Sequence, residues 1–290
     1  MKELLKRIVG VARTTDETKI AQIEHDLIMP KYQYSSPIDY STESWPPAYE
    51  PTILVPGVEL PVPPAKARPG YSPDDDKFYL EWGALDHDWI MSLIERYHGV
   101  SRGMSILDWG CASGRVLRHF YSEHKSLGWR LHGIDVQGYL VEWMRQNFPP
   151  EIEVLTGTTF PHLPYKDETF DVVYGISVFT HTKYLWDSWL AEMKRVLKPG
   201  GLCIQTVQCE DAWRFYHQHR HVDWVRNGHP DAMLCEPEMT ADFFFYGDGH
   251  ISQTFFKEEV IKRYWGRIME VVAFLPPQKL GYQNWIVAKA

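Results

Sequence analysis

Ser105–Phe120 reads SILDWGCASGRVLRHF. Ile106 and Leu107 form a short apolar run, the end of a buried strand. Asp108 follows, then a turn holding Gly110 and Gly114. Beyond the turn, Val116, Leu117, Phe120 and Tyr121 share one face of a predicted helix. Strand, glycine turn and helix are how an open α/β sheet makes a ligand site at its carboxyl edge. Glycine lets the backbone pass close to a bound molecule, and the first helical turn offers amide N–H groups without internal partners. An ordinary strand-to-helix connection is the plainer alternative.

The spacing bears on the ligand. A dinucleotide fingerprint is G-x-G-x-x-G. Here the glycines are G-x-x-x-G, and a carboxylate stands two residues before the first. An acid there is poorly suited to a pyrophosphate and well suited to a ligand carrying an ammonium and a sulfonium. The pattern D-x-G-x-x-x-G resembles the first motif of the class I S-adenosylmethionine (SAM) dependent methyltransferases, with Ala112 where many members have a third glycine. The resemblance implies SAM as cofactor. It implies cofactor contacts at Asp108, Trp109, Gly110, Cys111, Gly114 and Arg115.

The later motifs come in order. Arg130–Ile134 reads as a second strand closed by Asp135, 27 residues beyond Asp108, about one strand-turn-helix unit. A carboxylate closing a second strand can accept hydrogen bonds from both ribose hydroxyls; a helix N-cap is its other reading. Val136 would lie beside the adenine. Ile152–Leu155 reads as a third strand. Leu163-Pro164-Tyr165 and Phe170-Asp171 match the family's next motif, although the adenine-side acid of many members is absent and Thr159 or Phe160 occupies its place. Asp171–Tyr174 is a fourth strand, with Gly175, Ile176 and Ser177 placed to line the methionine part of the cofactor. Val178-Phe179-Thr180-His181 looks like a bacterial subgroup often linked to glycan or natural-product tailoring. His181 stands where an acceptor would approach the methyl group. It is a general base, a structural cap on a helix over residues 183–197, or a wall of the cofactor site.

The fold so implied is α/β: the class I methyltransferase Rossmann-like fold, a seven-stranded, mostly parallel sheet with an antiparallel last strand and helices on both faces. Lys198-Pro199-Gly200-Gly201 ends a helix and opens the fifth strand, Leu202–Gln208. Residues 209–252 read as an inserted acceptor cap, rich in aromatic and histidine side chains whose flat faces and polar tips suit sugar rings. A turn at Gly247-Asp248-Gly249-His250 could bring His250 or Asp248 to the acceptor, with His250 the second candidate base. In H217-Q-H219-R-H221 only His217 and His221 would share a helical face, so no metal site is expected. Thr254 is expected to cap a helix over 255–265, and residues 268–275 and 284–288 to form the closing strand pair.

Composition sets the remaining bounds. The chain has 290 residues, a net charge of −8 and four cysteines without zinc-ligand spacing. These argue for one large α/β domain with free thiols and against a nucleic-acid surface. No apolar run approaches ~20 residues, so no membrane span is expected, and the expectation is a cytoplasmic enzyme. Residues 1–73 stand apart, with two short amphipathic patterns (1–11 and 18–29) followed by an extended arm. The arm, residues 30–73, holds 11 of the 20 prolines. It is a possible route to a homo-oligomer. Residues 74–290 carry the methyltransferase pattern, and the expected reaction is methyl transfer to a saccharide or small-metabolite hydroxyl. A non-catalytic SAM-binding protein and a nicotinamide-dependent oxidoreductase are the competing readings.

Overall fold

The computed structural model describes residues 59–68, 75–228, 238–247, 252–278 and 281–290. Most of the N-terminal arm, Tyr71, Cys235 and the turn carrying His250 lie outside them.

The lead-in helix α1 spans Asp76–Tyr97, and the Asp75 carboxylate caps it by accepting from Phe78 N at 2.9 Å. Strand β1 (Ser105–Trp109) is buried along its whole length, as a central parallel strand must be when both faces are covered. The expected regular helix after the glycine turn is instead a 3-10 segment, Leu117–Phe120, continuing into α2 (Tyr121–Leu127). Arg118 accompanies this tightening. Its buried guanidinium donates to the carbonyls of Leu60 and Pro61, which ties the turn to the segment before α1.

Next come β2 (Arg130–Asp135), α3 (Gly138–Asn147), β3 (Ile152–Thr156) and β4 (Phe170–Gly175). Helix α4 (Trp186–Val196) begins later than expected, because residues 179–185 form two 3-10 turns. Strand β5 (Leu197–Val207) already includes Lys198–Gly201. The closing strands are β8 (Glu270–Leu275) and β9 (Asn284–Lys289). Between them and β5 lie α5 (Glu210–Gln218), α6 (Asp223–Gly228) and a separate hairpin of β6 (Phe243–Tyr246) and β7 (Gln253–Phe256).

The main sheet has seven strands in the order β3-β2-β1-β4-β5-β9-β8, parallel except for β9, which runs antiparallel to both neighbours. This is the expected fold. One helical layer covers Ile106, Tyr174 and Ile204; the other covers Leu107, Val173 and Cys203. Strand order reverses between β1 and β4, and such a switch point opens a crevice at the carboxyl ends of the strands.

Two local readings are corrected. Thr254 caps no helix: it is a buried residue of β7, and its Oγ1 accepts from Lys183 N at 3.1 Å. Phe255 and Phe256 prefer the hairpin because both bury there, so the excursion from the sheet runs past residue 252. The expected helix begins only at Glu258, as Glu258–Val260 followed by a π-helical turn, Ile261–Trp265, that ends at Gly266. The histidine run straddles the end of α5 rather than lying within a helix, and His219 stacks on Phe215 with ring centroids 4.1 Å apart. Among the described residues no group of three metal-ligating side chains gathers, and no helix is long and apolar enough to cross a membrane.

Candidate functional site

The crevice lies at the switch point. Asp108, Gly110, Cys111, Ala112, Ser113, Arg115 and Val116 line it from the β1 turn, Ile176 from the end of β4, and Arg68 and Tyr79 from the lead-in.

The turn is built by backbone bonds. Gly110 N and Cys111 N donate to Ile134 O at 2.8 and 3.2 Å, and Gly114 N donates to Cys111 O at 2.8 Å. Ala112 N donates to Asp135 Oδ2 at 2.8 Å. These four amides are therefore engaged within the protein. These bonds fix the shape of the turn. Ala112, at the position of the family's third glycine, has φ 47°. A left-handed conformation costs a residue with a Cβ about 1–2 kcal/mol, against about 0.5–1 kcal/mol of extra backbone entropy for glycine. Ala112→Gly is therefore expected to raise stability by about 0.5–1 kcal/mol, read as a higher urea midpoint at unchanged slope.

Two carboxylates stand at neighbouring strand ends. Asp108 is 4% exposed and accepts a hydrogen bond from Tyr174 Oη at 2.9 Å. Burial pushes its pKa up to about 7; the Tyr174 bond and Arg115 oppose the rise, while the charge of Asp135 adds to it. An acid of this kind is poised to meet a cation. Asp135 is buried too, and its other oxygen accepts from Gln137 N at 2.7 Å. Burial raises its pKa as well, against the pull of these two amides. Asp108 pairs with Gly133, two residues before Asp135. Strand spacing and rise thus put the two Cα atoms roughly 8 Å apart, within the span of one nucleoside-bearing ligand.

No sequence motif points to Tyr79 or Arg68; on the same helix as Tyr79, Phe78 and Trp82 pair with each other at 4.7 Å, half-buried. Tyr79 lies one turn before Gly83, whose missing side chain lets α1 approach the glycine turn: a Cβ there would come within 2.2 Å of Arg115 O. A glycine inside a helical pattern was the signal available. Arg68 donates to Pro63 O at 2.7 Å, pairs with Asp76 and lies 5.2 Å over the Tyr79 ring. Arg115 pairs with Asp86 at 2.7 Å.

The other expected positions fall differently. The Trp109 side chain turns into the core against Phe179 and Trp189, at 5.2 and 4.9 Å between ring centroids, and Trp109 does not line the crevice. A Cβ on Gly114 would strike Phe148, so the glycine serves packing there. Gly175 is buried over Gln205 and Trp109, and Ser177 is half-buried just past Ile176. Val136 is half-buried beyond β2; Thr159 is half-buried and Phe160 is 41% exposed in the loop after β3. His181 stands exposed in the 3-10 turn after β4. Its Nδ1 donates to Ser252 O at 2.7 Å, which in the neutral ring places the lone pair on Nε2.

Residues 107–205 match the family profile described as a methyltransferase domain. Sterol 24-C-methyltransferase ERG6B of Gibberella zeae is 30% identical over 109 residues, 36% of this chain and 27% of that protein. The chain thus spans about a quarter of that relative's length. The solved PH0226 protein of Pyrococcus horikoshii is similar in fold, with a TM-score of 0.52 at 16% identity, over 77% of this chain and 96% of that one. So is a Listeria monocytogenes protein described as an S-adenosylmethionine dependent methyltransferase, with a TM-score of 0.51 at 13% identity, over 71% of this chain and 98% of that one. By its strand order this chain has the class I methyltransferase Rossmann-like fold, and residues 107–205 within it match the methyltransferase-domain profile.

Proposed function

We propose that this protein transfers a methyl group from SAM to a hydroxyl of a saccharide or small metabolite. The observation that carries the reading is the pair of buried carboxylates flanking the glycine turn, one of them with its pKa raised to about 7. The donor set suits SAM in sign and order. Asp108 offers a carboxylate to the ammonium, Arg68 and Arg115 bring positive charge toward the carboxylate, and Asp135 offers oxygens to the ribose hydroxyls. Gly110, Cys111 and Ile176 wall the crevice, while Val136, Thr159 and Phe160 flank the adenine side. Residues 1–73 would serve as an accessory arm to a domain over 74–290.

When bound, the cofactor supplies an electrophilic methyl on a sulfonium, whose departure leaves a neutral thioether. The protein's part is to hold the acceptor oxygen in line with that carbon and to take its proton. His181 is the candidate base. Its Nδ1–H is held by the Ser252 carbonyl, so Nε2 receives the proton as the oxygen–carbon bond forms. His250 is the second candidate; it lies outside the described residues. Trp213, Phe215, Tyr216 and Phe244, on α5 and β6, belong to the aromatic cap proposed to receive the acceptor. The similarity to a sterol 24-C-methyltransferase supports a second reading, a carbon acceptor on an apolar molecule.

Incubation with methyl-labelled SAM and a panel of glycans, small phenols, alcohols and sterols, followed by mass spectrometry, separates the readings. A labelled O-methyl product supports the first, a C-methyl product the second. Calorimetry that shows binding of a nicotinamide dinucleotide but not SAM would overturn both. Once an acceptor is found, His181→Gln is expected to lower kcat about 100-fold or more at pH 7 while SAM affinity stays within about twofold. Replacing both His181 and His250 without change in rate would remove general-base catalysis from the mechanism.

A further inference from the structure

Past β4 the chain leaves the sheet through Ile176 and Ser177, and Ser177 has φ 61°. A residue with a side chain stays in this region only where its surroundings over-determine it. Here they do. Ser177 N donates to Thr206 Oγ1 at 2.7 Å, and Thr180 Oγ1 donates to Ser177 O at 2.8 Å. Gln283 Nε2 donates to Ser177 Oγ at 2.8 Å. The circuit closes because Thr206 Oγ1 donates to Gln283 Oε1 at 2.6 Å. The Thr206 oxygen already accepts from the Ser177 amide, so its own proton goes to the glutamine oxygen. That leaves the glutamine nitrogen to face Ser177, and every bond in the ring has a defined direction.

The ring joins three elements at one edge: the residues just past β4, the end of β5 and the residue just before β9. On one side, Ser177 follows Ile176, which lines the crevice. On the other, Gln283 follows Tyr282, which belongs to the cap. The Tyr282 ring stacks on Phe215 of α5 at 5.0 Å and 18°, and lies 5.2 Å from Tyr216. A single peptide bond therefore separates a cap contact from the contact that holds Ser177.

We infer that Gln283 is a positioning residue that couples the aromatic cap to the cofactor crevice: the packing of α5 on Tyr282 sets Gln283, and Gln283 sets the backbone at Ile176–Ser177. The inference rests on the reading of the crevice as a SAM site. It gives the cap a means to tighten the cofactor pocket when an acceptor is seated.

The test uses the full chain, with SAM as the calorimetric probe and hydrogen exchange at the Ser177 amide as a readout that needs no ligand. Gln283→Ala is expected to weaken SAM binding about tenfold and Phe215→Ala about threefold. The double variant should be no weaker than Gln283→Ala alone, since the cap acts through the glutamine. Gln283→Glu keeps an acceptor that both hydroxyls can donate to, and should stay within about threefold of the parent. Phe215→Ala should also speed exchange at Ser177 about tenfold. Should Gln283→Ala fail to fold, Thr206→Val breaks the same ring at the same shape and carries the same expectation. Unchanged SAM affinity on breaking the ring, or a Phe215→Ala effect equally large without Gln283, overturns the coupling. If the parent binds no SAM the cofactor reading fails instead; the exchange rates then decide the coupling, and an unaltered Ser177 rate in Phe215→Ala overturns it.

Discussion

Asp108→Asn is expected to weaken SAM binding about 100-fold, roughly 3 kcal/mol, while leaving the free protein about as stable as the parent near pH 4 and more stable at pH 8. The two effects have one cause. Asparagine keeps the shape of the carboxyl and can still accept from Tyr174 Oη, but it carries no charge for an ammonium. In the free protein that charge is a burden, because burial raises the Asp108 pKa to about 7. The folded state therefore holds a proton that the unfolded chain releases above about pH 4. A raised folded pKa means that this group's contribution to stability is complete below the unfolded value and is lost as pH rises through about 7. Asp135, also raised by burial, adds a slope of the same sign. The variant should lack the Asp108 part of that slope, as thermal melts from pH 4 to pH 8 would show. For the parent, the charged form is the one that binds a cation, so SAM affinity should fall about tenfold between pH 7.5 and pH 6. A flat affinity profile over this range would assign the ammonium to another group.

Gly110→Ala is expected to cost about 3 kcal/mol of stability and to abolish SAM binding. The position has φ 79°, and an added Cβ would come within 2.3 Å of Val178 Cγ2. Conformation and clash are separate contributions, about 1–2 kcal/mol each. Val178 is branched at its β carbon and cannot swing aside cheaply. Adding Val178→Ala should therefore recover the steric part and leave the conformational part. Urea melts of both variants make the separation; full recovery in the double variant would show that the left-handed backbone is not needed there.

The strand ends were legible because a parallel central strand writes itself as an unbroken apolar run, and a turn that crosses to the next strand writes itself as glycine. Asp108 and Asp135 followed from their places at the ends of such runs. Phe243–Tyr246 and Gln253–Phe256 were less legible. Aromatic pairs such as Phe244 on Phe255, stacked at 5.1 Å and 9°, form only when two segments meet, and neither segment states its partner. The helical reading of residues 255–265 held over 258–265 and missed its start for that reason: local pattern favoured a helix from residue 255, and the burial of Phe255 and Phe256 favoured a strand.

From sequence alone came the order of strands and helices, the glycine turn and the two acids, because periodicity and φ requirements are local properties of the chain. Tertiary structure alone decided that Tyr79 and Arg68 reach the crevice, that Ser252 sets the ring of His181, and that Gln283 ties Ser177 to Thr206. These are meetings of residues from 34 to 106 positions apart. A side-chain hydrogen bond over such a distance leaves no period in the sequence; it exists only once the sheet has brought the elements to one edge.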